Sequence, residues 1–295
     1  MWIILAICSA LGLGFYDVFK KLSVRANNVL LVLMLNTVFG TLLMSPVLVD
    51  CLAHGHIGLG DTFAGHARIM LKALIVLGSW LLGYFAIKHL PLTIQGPINA
   101  SRPVLVLVGA MVVFGERLNL LQWCGILLGF ASLFFISRIG AAEGFSLRGP
   151  RWLWMSVGAT ALGAVSALYD KYLLGLYRPL EVQAWYSLYQ CIIMCTAILL
   201  MRRFSPRAAG AGSRFEWRWS IPCISLFLTG ADIAYFYSLS LPGAMISVVS
   251  MIRRGSVLVS FLYGVFILRE SHARAKAIDL LVLLCSLALL VAGSR

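Results

Sequence analysis

The chain has 295 residues, of which 61% are hydrophobic and only 12% charged, with a mean hydropathy of +0.92. Soluble globular chains carry about a quarter charged residues, so most of this surface cannot face water, and a pair of ordinary soluble domains is excluded. The formal net charge of +13 does not imply a nucleic-acid partner. Lys and Arg sit mostly at the ends of apolar runs, as they do beside membrane spans, and not in one solvated stripe.

A helix needs about 20 apolar residues to cross a bilayer. On that basis the first five spans are expected near 2–21, 29–49, 69–88, 92–114 and 119–138. A polar connection from Arg138 to Arg151 follows, with Glu143-Gly144 and Gly149-Pro150 inside it. Five more spans are expected near 152–174, 182–201, 219–240, 244–268 and 277–293. The longest breaks are 50–68 and 202–218, the second of which is Arg- and Gly-rich and reads as a solvated loop. Met1-Trp2 runs straight into apolar sequence without a basic segment, so no cleavable signal is expected. The expected fold is an all-α integral membrane protein of about ten transmembrane helices.

The two halves share landmarks in the same order. Tyr84-Phe85 and Leu90-Pro91 recur as Tyr235-Phe236 and Leu241-Pro242, a shift of 151 residues. Tyr16-Asp17 recurs as Tyr169-Asp170, a shift of 153, and Gly115-Glu116-Arg117 after the fourth span is echoed by Arg269-Glu270 after the ninth. These matches predict a first repeat over 1–140, a connecting loop over 141–151 and a second repeat over 152–295. An odd number of crossings separates the repeats, so they are expected in opposite orientations. Such inverted repeats are typical of secondary transporters with the solute site near the midplane.

With that organisation the sequence resembles the drug/metabolite transporter superfamily, in its EamA-like ten-helix branch. The resemblance rests on the five-plus-five duplication and on Phe114-Gly115-Glu116-Arg117-Leu118 running into Leu121-Gln122-Trp123-Cys124-Gly125. The second copy departs from this pattern: Leu268-Arg269-Glu270-Ser271 lacks the Gly, and no Gln-Trp follows. The resemblance implies a transporter and not an enzyme. Sugar-phosphate and nucleotide-sugar members set a basic pair of the ninth helix against the substrate phosphate, and Arg253 and Arg254 stand at the matching place.

Ionisable residues inside a span are costly, and each is a functional candidate. Arg102 falls about midway along the expected fourth span, in Asn99-Ala100-Ser101-Arg102-Pro103, and Arg253-Arg254 falls at similar depth in the ninth. The repeat shift of 151 relates Arg102 to Arg253. Guanidinium groups bind carboxylate or phosphate bidentately and keep their charge, so Arg102, Arg253 and Arg254 are candidate anion ligands. Asn99, Asp232 and Tyr235 are candidates to complete the site. The arginines could instead be neutralised by Asp17, Asp170 and Asp232. Asp17 with Lys20 and Lys21, and Asp170 with Lys171, are expected near span ends, either as interfacial ion pairs or as gates. Trp80, Tyr84, Trp185, Tyr186, Tyr189 and Tyr237 are further candidates to line a cavity, and Asn36 and Gln95 are polar groups at span depth. Pro91, Pro97 and Pro103 interrupt the expected fourth span, and Gly243 and Gly255 loosen the ninth.

The seven cysteines form no metal-type pair, and the H-x-H of His54 and His56 lacks a third ligand. No metal or cofactor is expected. All five histidines lie in loops or at span ends, which also argues against a membrane-embedded enzyme or lipid-handling protein. Fifteen Lys and Arg follow odd-numbered spans against six after even-numbered spans and at the C-terminus, Lys72 among the six. That bias puts both termini outside the cytoplasm, whereas the resemblance implies cytoplasmic termini. No nucleotide-binding GxxxxGK[ST] occurs, so an ion gradient or counter-substrate is expected to supply the driving force. The function expected is secondary active transport of a small anionic or zwitterionic metabolite by a monomer or homodimer, in a bacterial inner membrane. Export of an amino acid or drug, with purely structural arginines, is the alternative.

Overall fold

The computed structural model describes residues 1–24, 27–53, 63–89, 98, 102–141, 150–204, 215–256, 259 and 273–293. These contain α1 (Trp2–Val24), α2 (Val29–Ala53), α3 (Phe63–His89), α4 (Arg102–Phe114), α5 (Leu120–Ala141), α6 (Pro150–Leu174), α7 (Pro179–Phe204), α8 (Ser220–Ser240), α9 (Ile246–Arg253) and α10 (Ala273–Gly293). No strand occurs among the described residues. Five of the helices are long and apolar enough to cross a bilayer: α1, α2, α3, α7 and α8. Large apolar side chains such as Ile4, Leu42, Val49, Val112, Leu127 and Leu199 face outward, as suits lipid contact and would be unfavourable in water.

Local chemistry sets several helix ends. Asn28 starts α2: its Oδ1 accepts from the N–H groups of Leu30 and Leu31 at 3.1 and 3.3 Å, which meets two otherwise orphaned donors. Asn119 and Gln122 form a reciprocal capping box on α5, each side chain accepting the other's N–H at 2.9 and 3.0 Å. Gly115 has φ +63°, the left-handed geometry that lets α4 end with the Glu116 N–H bonded back to Ala110 O at 3.3 Å. Pro150 and Pro179 open α6 and α7, where a missing N–H costs nothing.

Some expected ends move. Helix α3 starts at Phe63 and not near 69, which puts Lys72 in its third turn instead of its first. The described part of α4 begins at Arg102, with Pro103 as its second residue. Pro91 and Pro97 lie outside the described residues. Gly243, at φ +78°, belongs to the turn before α9.

The most extensive packing joins α1 to α8, α3 to α6, α5 to α10 and α2 to α7, with α2–α8, α3–α7, α4–α6, α1–α9 and α4–α9 beside them. Exchanging α1–α5 with α6–α10 in order returns the same set of pairs. Hydroxyls staple these seams to backbone carbonyls: Ser9 Oγ donates to Ala231 O at 2.7 Å, Ser79 Oγ to Ala159 O at 2.7 Å, and Ser286 Oγ to Gly125 O at 2.6 Å. Small residues permit the approach. A Cβ on Gly125 would stand 3.0 Å from Ser286 O.

Candidate functional site

The charged residues expected to be isolated in spans gather where α3, α4, α6, α8 and α9 meet. Lys72 of α3 is 2% exposed and its Nζ lies 2.6 Å from Asp170 Oδ1 of α6. The ammonium also lies 4.3 Å from the centre of the Tyr186 ring and 4.0 Å from that of Phe236, so two aromatic faces share its charge. Asp232 of α8 receives Arg253 Nη2 at 2.9 Å, and the Arg253 guanidinium lies 3.9 Å above the Tyr235 ring. Arg253 Nε is buried and has no hydrogen-bond partner among the described residues.

Arg102 donates from Nη2 to Gly163 O at 2.7 Å. The absence of a side chain at Gly163 makes this possible, because a Cβ there would stand 2.5 Å from the Arg102 guanidinium carbon. Helix α9 stops at Arg253, and Arg254 caps it with its N–H on Ile252 O and Met251 O. The break brings both guanidinium groups to a helix C-terminus, where unpaired carbonyls favour cations. Among the described residues, neither Arg102 nor Arg254 makes an ion pair.

Arg254 lies within electrostatic range of Arg102, Arg253 and Asp17, and Lys72 within range of Asp232 and Arg253. The connected group therefore holds five cations, Lys20, Lys72, Arg102, Arg253 and Arg254, against three carboxylates, Asp17, Asp170 and Asp232. Counting the arginines alone gives an even balance. Lys20 and Lys72 turn it into an excess of two positive charges.

The expected Asp170–Lys171 cluster divides in two. Asp170 turns to Lys72, while Lys171 Nζ lies 2.6 Å from Glu116 Oε1 and donates to Ala244 O at 3.0 Å. Glu116, sent out by the Gly115 turn, also accepts from Ile246 N at 2.7 Å, from Ser247 N at 3.3 Å and from the Ser247 hydroxyl. A carboxylate thus caps the N-terminus of α9, where the helix dipole favours negative charge. Asp17 and Lys20 lie one turn apart on α1, and Lys20 Nζ stands 5.3 Å from the Tyr16 ring. The side chain of Lys21 and all of Asn99 and Gln95 lie outside the described residues, as does the side chain of Tyr84.

A small cavity of about 20 Å³ opens beside the charged group. Helix α2 lines it with Asn36 and Thr37, α7 with Gln183, Ser187 and Gln190, and α8 with Thr229. Asp232 and Tyr186 stand in both the cavity wall and the charged group, and Trp80 of α3 joins the wall. Trp185 and Tyr189, the other expected lining aromatics, instead stack near His66, whose Nδ1 is 2.7 Å from the Tyr189 hydroxyl. Tyr237 is more than one-third exposed and points away from the interior.

Comparison with known proteins fits this architecture. The EamA-like transporter family is matched over residues 1–138. A solved crystal structure is similar over almost the whole length, with a TM-score of 0.74 at 18% identity, covering 99% of this chain and 98% of that one. At that identity the likeness shows the fold. No curated protein matches the chain. Residues 1–138 are thus similar to a family of membrane transporters, and the long apolar helices suit an integral membrane protein.

Sequence reasoning missed Lys72, Glu116 as a ligand of α9, Gln183 and Gln190. The last two had a readable signal: Gln183, Tyr186, Ser187 and Gln190 repeat at helical spacing in an otherwise apolar span. Lys72 and Glu116 had none, because their partners lie 98 and 130 residues away.

Proposed function

We propose that this chain is a secondary active transporter that moves a small anionic or zwitterionic metabolite by alternating access, with Arg102, Arg253 and Arg254 holding the anionic group. The observation that carries the reading is the half-buried Arg253 guanidinium, which pairs with Asp232 yet keeps a buried, unpartnered Nε. Beside it, Arg102 and Arg254 bring charge that the nearby carboxylates do not balance. A buried unsatisfied donor costs about 1–3 kcal/mol, and an uncompensated charge costs more. An oxyanion seated between the guanidinium groups removes both costs at once, and the fork geometry suits it.

In this reading Tyr235 orients Arg253, and Asn99, next to Arg102 in sequence, completes the site. Asp232 competes with the solute for Arg253, so binding is tied to breaking a link between α8 and α9. The repeats over 1–140 and 152–295 would be inverted, with the solute between them. The Lys72–Asp170 and Lys171–Glu116 pairs, and Asp17 with Lys20, would open and close the two ends. An ion gradient or a counter-substrate drives the cycle, in a bacterial inner membrane, with the protein a monomer or homodimer.

The Arg253–Asp232 pair also favours a second reading, in which the arginines only neutralise carboxylates and the solute is an amino acid or drug. A thermal-shift screen of purified protein separates the two. The anion reading expects phosphorylated or carboxylate metabolites to raise the melting temperature, and Arg102→Gln or Arg254→Gln to abolish that rise. Stabilisation by cationic compounds alone, unchanged in the variants, would transfer the assignment to the second reading.

A further inference from the structure

The cavity between α2, α7 and α8 contains more hydrogen-bonding capacity than an apolar or purely anionic ligand uses. Gln183 is 3% exposed and Gln190 6% exposed, both line the cavity, and both stand on one face of α7. Gln183 Oε1 and Gln190 Nε2 have no partner among the described residues. One is an acceptor and the other a donor. Buried amide atoms are normally paired, because leaving them dry costs free energy without return.

Part of the rest of the wall is already committed. Thr37 Oγ1 donates to Met34 O at 2.7 Å, Ser187 Oγ to Gln183 O at 2.8 Å, and Ser225 Oγ to Asn36 Oδ1 at 2.9 Å. The hydroxyl oxygens of Thr37 and Ser187 keep lone pairs to offer, but their protons are spent. The two glutamines therefore supply a buried, unpartnered acceptor and donor among the described residues. They lie in a wall that reaches the arginine group through Asp232 and Tyr186.

We infer that this recess, through Gln183 and Gln190, binds a neutral group that both donates and accepts hydrogen bonds, a hydroxyl or carboxamide, on the solute whose anionic end the arginines hold. The solute class is then a hydroxylated or amide-bearing small anion, not a simple fatty or aromatic acid. The inference rests on the anion reading above. The recess has a volume of about 20 Å³, room for about one water-sized group, which limits the neutral part inside it to a single hydroxyl or the end of a carboxamide.

The test uses matched anions, with and without hydroxyls: glycerol 3-phosphate against propyl phosphate, and gluconate against hexanoate. Binding to purified full-length protein is measured by calorimetry. For at least one pair the hydroxylated member should bind at least about tenfold more tightly, the value of one or two buried hydrogen bonds. In Gln183→Met/Gln190→Met that preference should vanish while the affinity for the plain anion stays. The melting temperature of the unliganded variant should hold or rise, because the atoms removed are unpartnered ones.

Equal binding within both pairs overturns the inference and leaves the anion site standing. A preference that survives in the double variant overturns it too, as does a large drop in melting temperature, which would show the glutamines to be structural. Preferential binding of uncharged glycerol, with neither phosphate bound, would keep the recess but remove the anion reading. Binding of no probe at all counts against both.

Discussion

Two sets of intramembrane charges lie close together in this molecule and differ in how they are satisfied. In the first, Lys72 meets Asp170 and two aromatic faces, and Glu116 gathers Lys171, two N–H groups and a hydroxyl. In the second, Arg102 has a carbonyl, Arg253 has one carboxylate and an idle Nε, and Arg254 has no ion pair among the described residues. Fully matched charges hold helices together. Incompletely matched ones are poised to take up something else. Position within a span does not separate the two sets, but their partners do.

The contrast can be broken most severely at Lys72. Lys72→Met leaves Asp170 buried without its counter-charge and should cost about 3–5 kcal/mol, read as a large fall in melting temperature in detergent. Lys72→Met/Asp170→Leu should recover most of that loss; failure to recover would mean that Lys72 does more than neutralise Asp170. Glu116→Ala comes next, at about 3 kcal/mol, since Lys171 is 20% exposed and can still reach water. If its melting temperature matched wild type, the capping of α9 would not be a structural link.

Arg254→Gln should behave in the opposite way. Its stability should stay within about 0.5 kcal/mol of wild type, while uptake into proteoliposomes falls at least about tenfold. A variant that unfolds but transports normally when folded would move Arg254 into the first set. The mildest change is Gly163→Ala. The added methyl pushes the Arg102 guanidinium aside, and a shift well under 1 Å should weaken solute affinity by less than about tenfold. An unchanged affinity would show that Arg102 is placed by something other than the Gly163 carbonyl.

These contrasts also explain what the sequence disclosed. The ten helices were legible because membrane spans announce themselves by length and apolarity, and their packing pairs fit the repeated landmarks. The motif from Phe114 to Gly125 was legible, and its chemistry is structural. Gly115 turns the chain, Glu116 caps α9, Asn119 and Gln122 cap α5, and Gly125 lets α10 approach. That is why it marks the family and says little about the solute. Lys72 was not legible. A lysine shortly after a polar stretch reads as an interfacial charge, and only the start of α3 at Phe63 and the position of Asp170 make it a buried one.

The packing order has a consequence for biogenesis. The four most extensive seams, α1–α8, α3–α6, α5–α10 and α2–α7, each join a helix made early to one made after residue 150. As the ribosome releases α5, the Ser9 hydroxyl, the Lys72 ammonium and the Glu116 carboxylate still lack the partners that satisfy them. The first five helices therefore wait in the bilayer for the second five, with their polar groups shielded by lipid interface, water or the insertion machinery. The packing pairs lead to the expectation of one late assembly step, in which early and late helices interleave, and not the docking of two finished units.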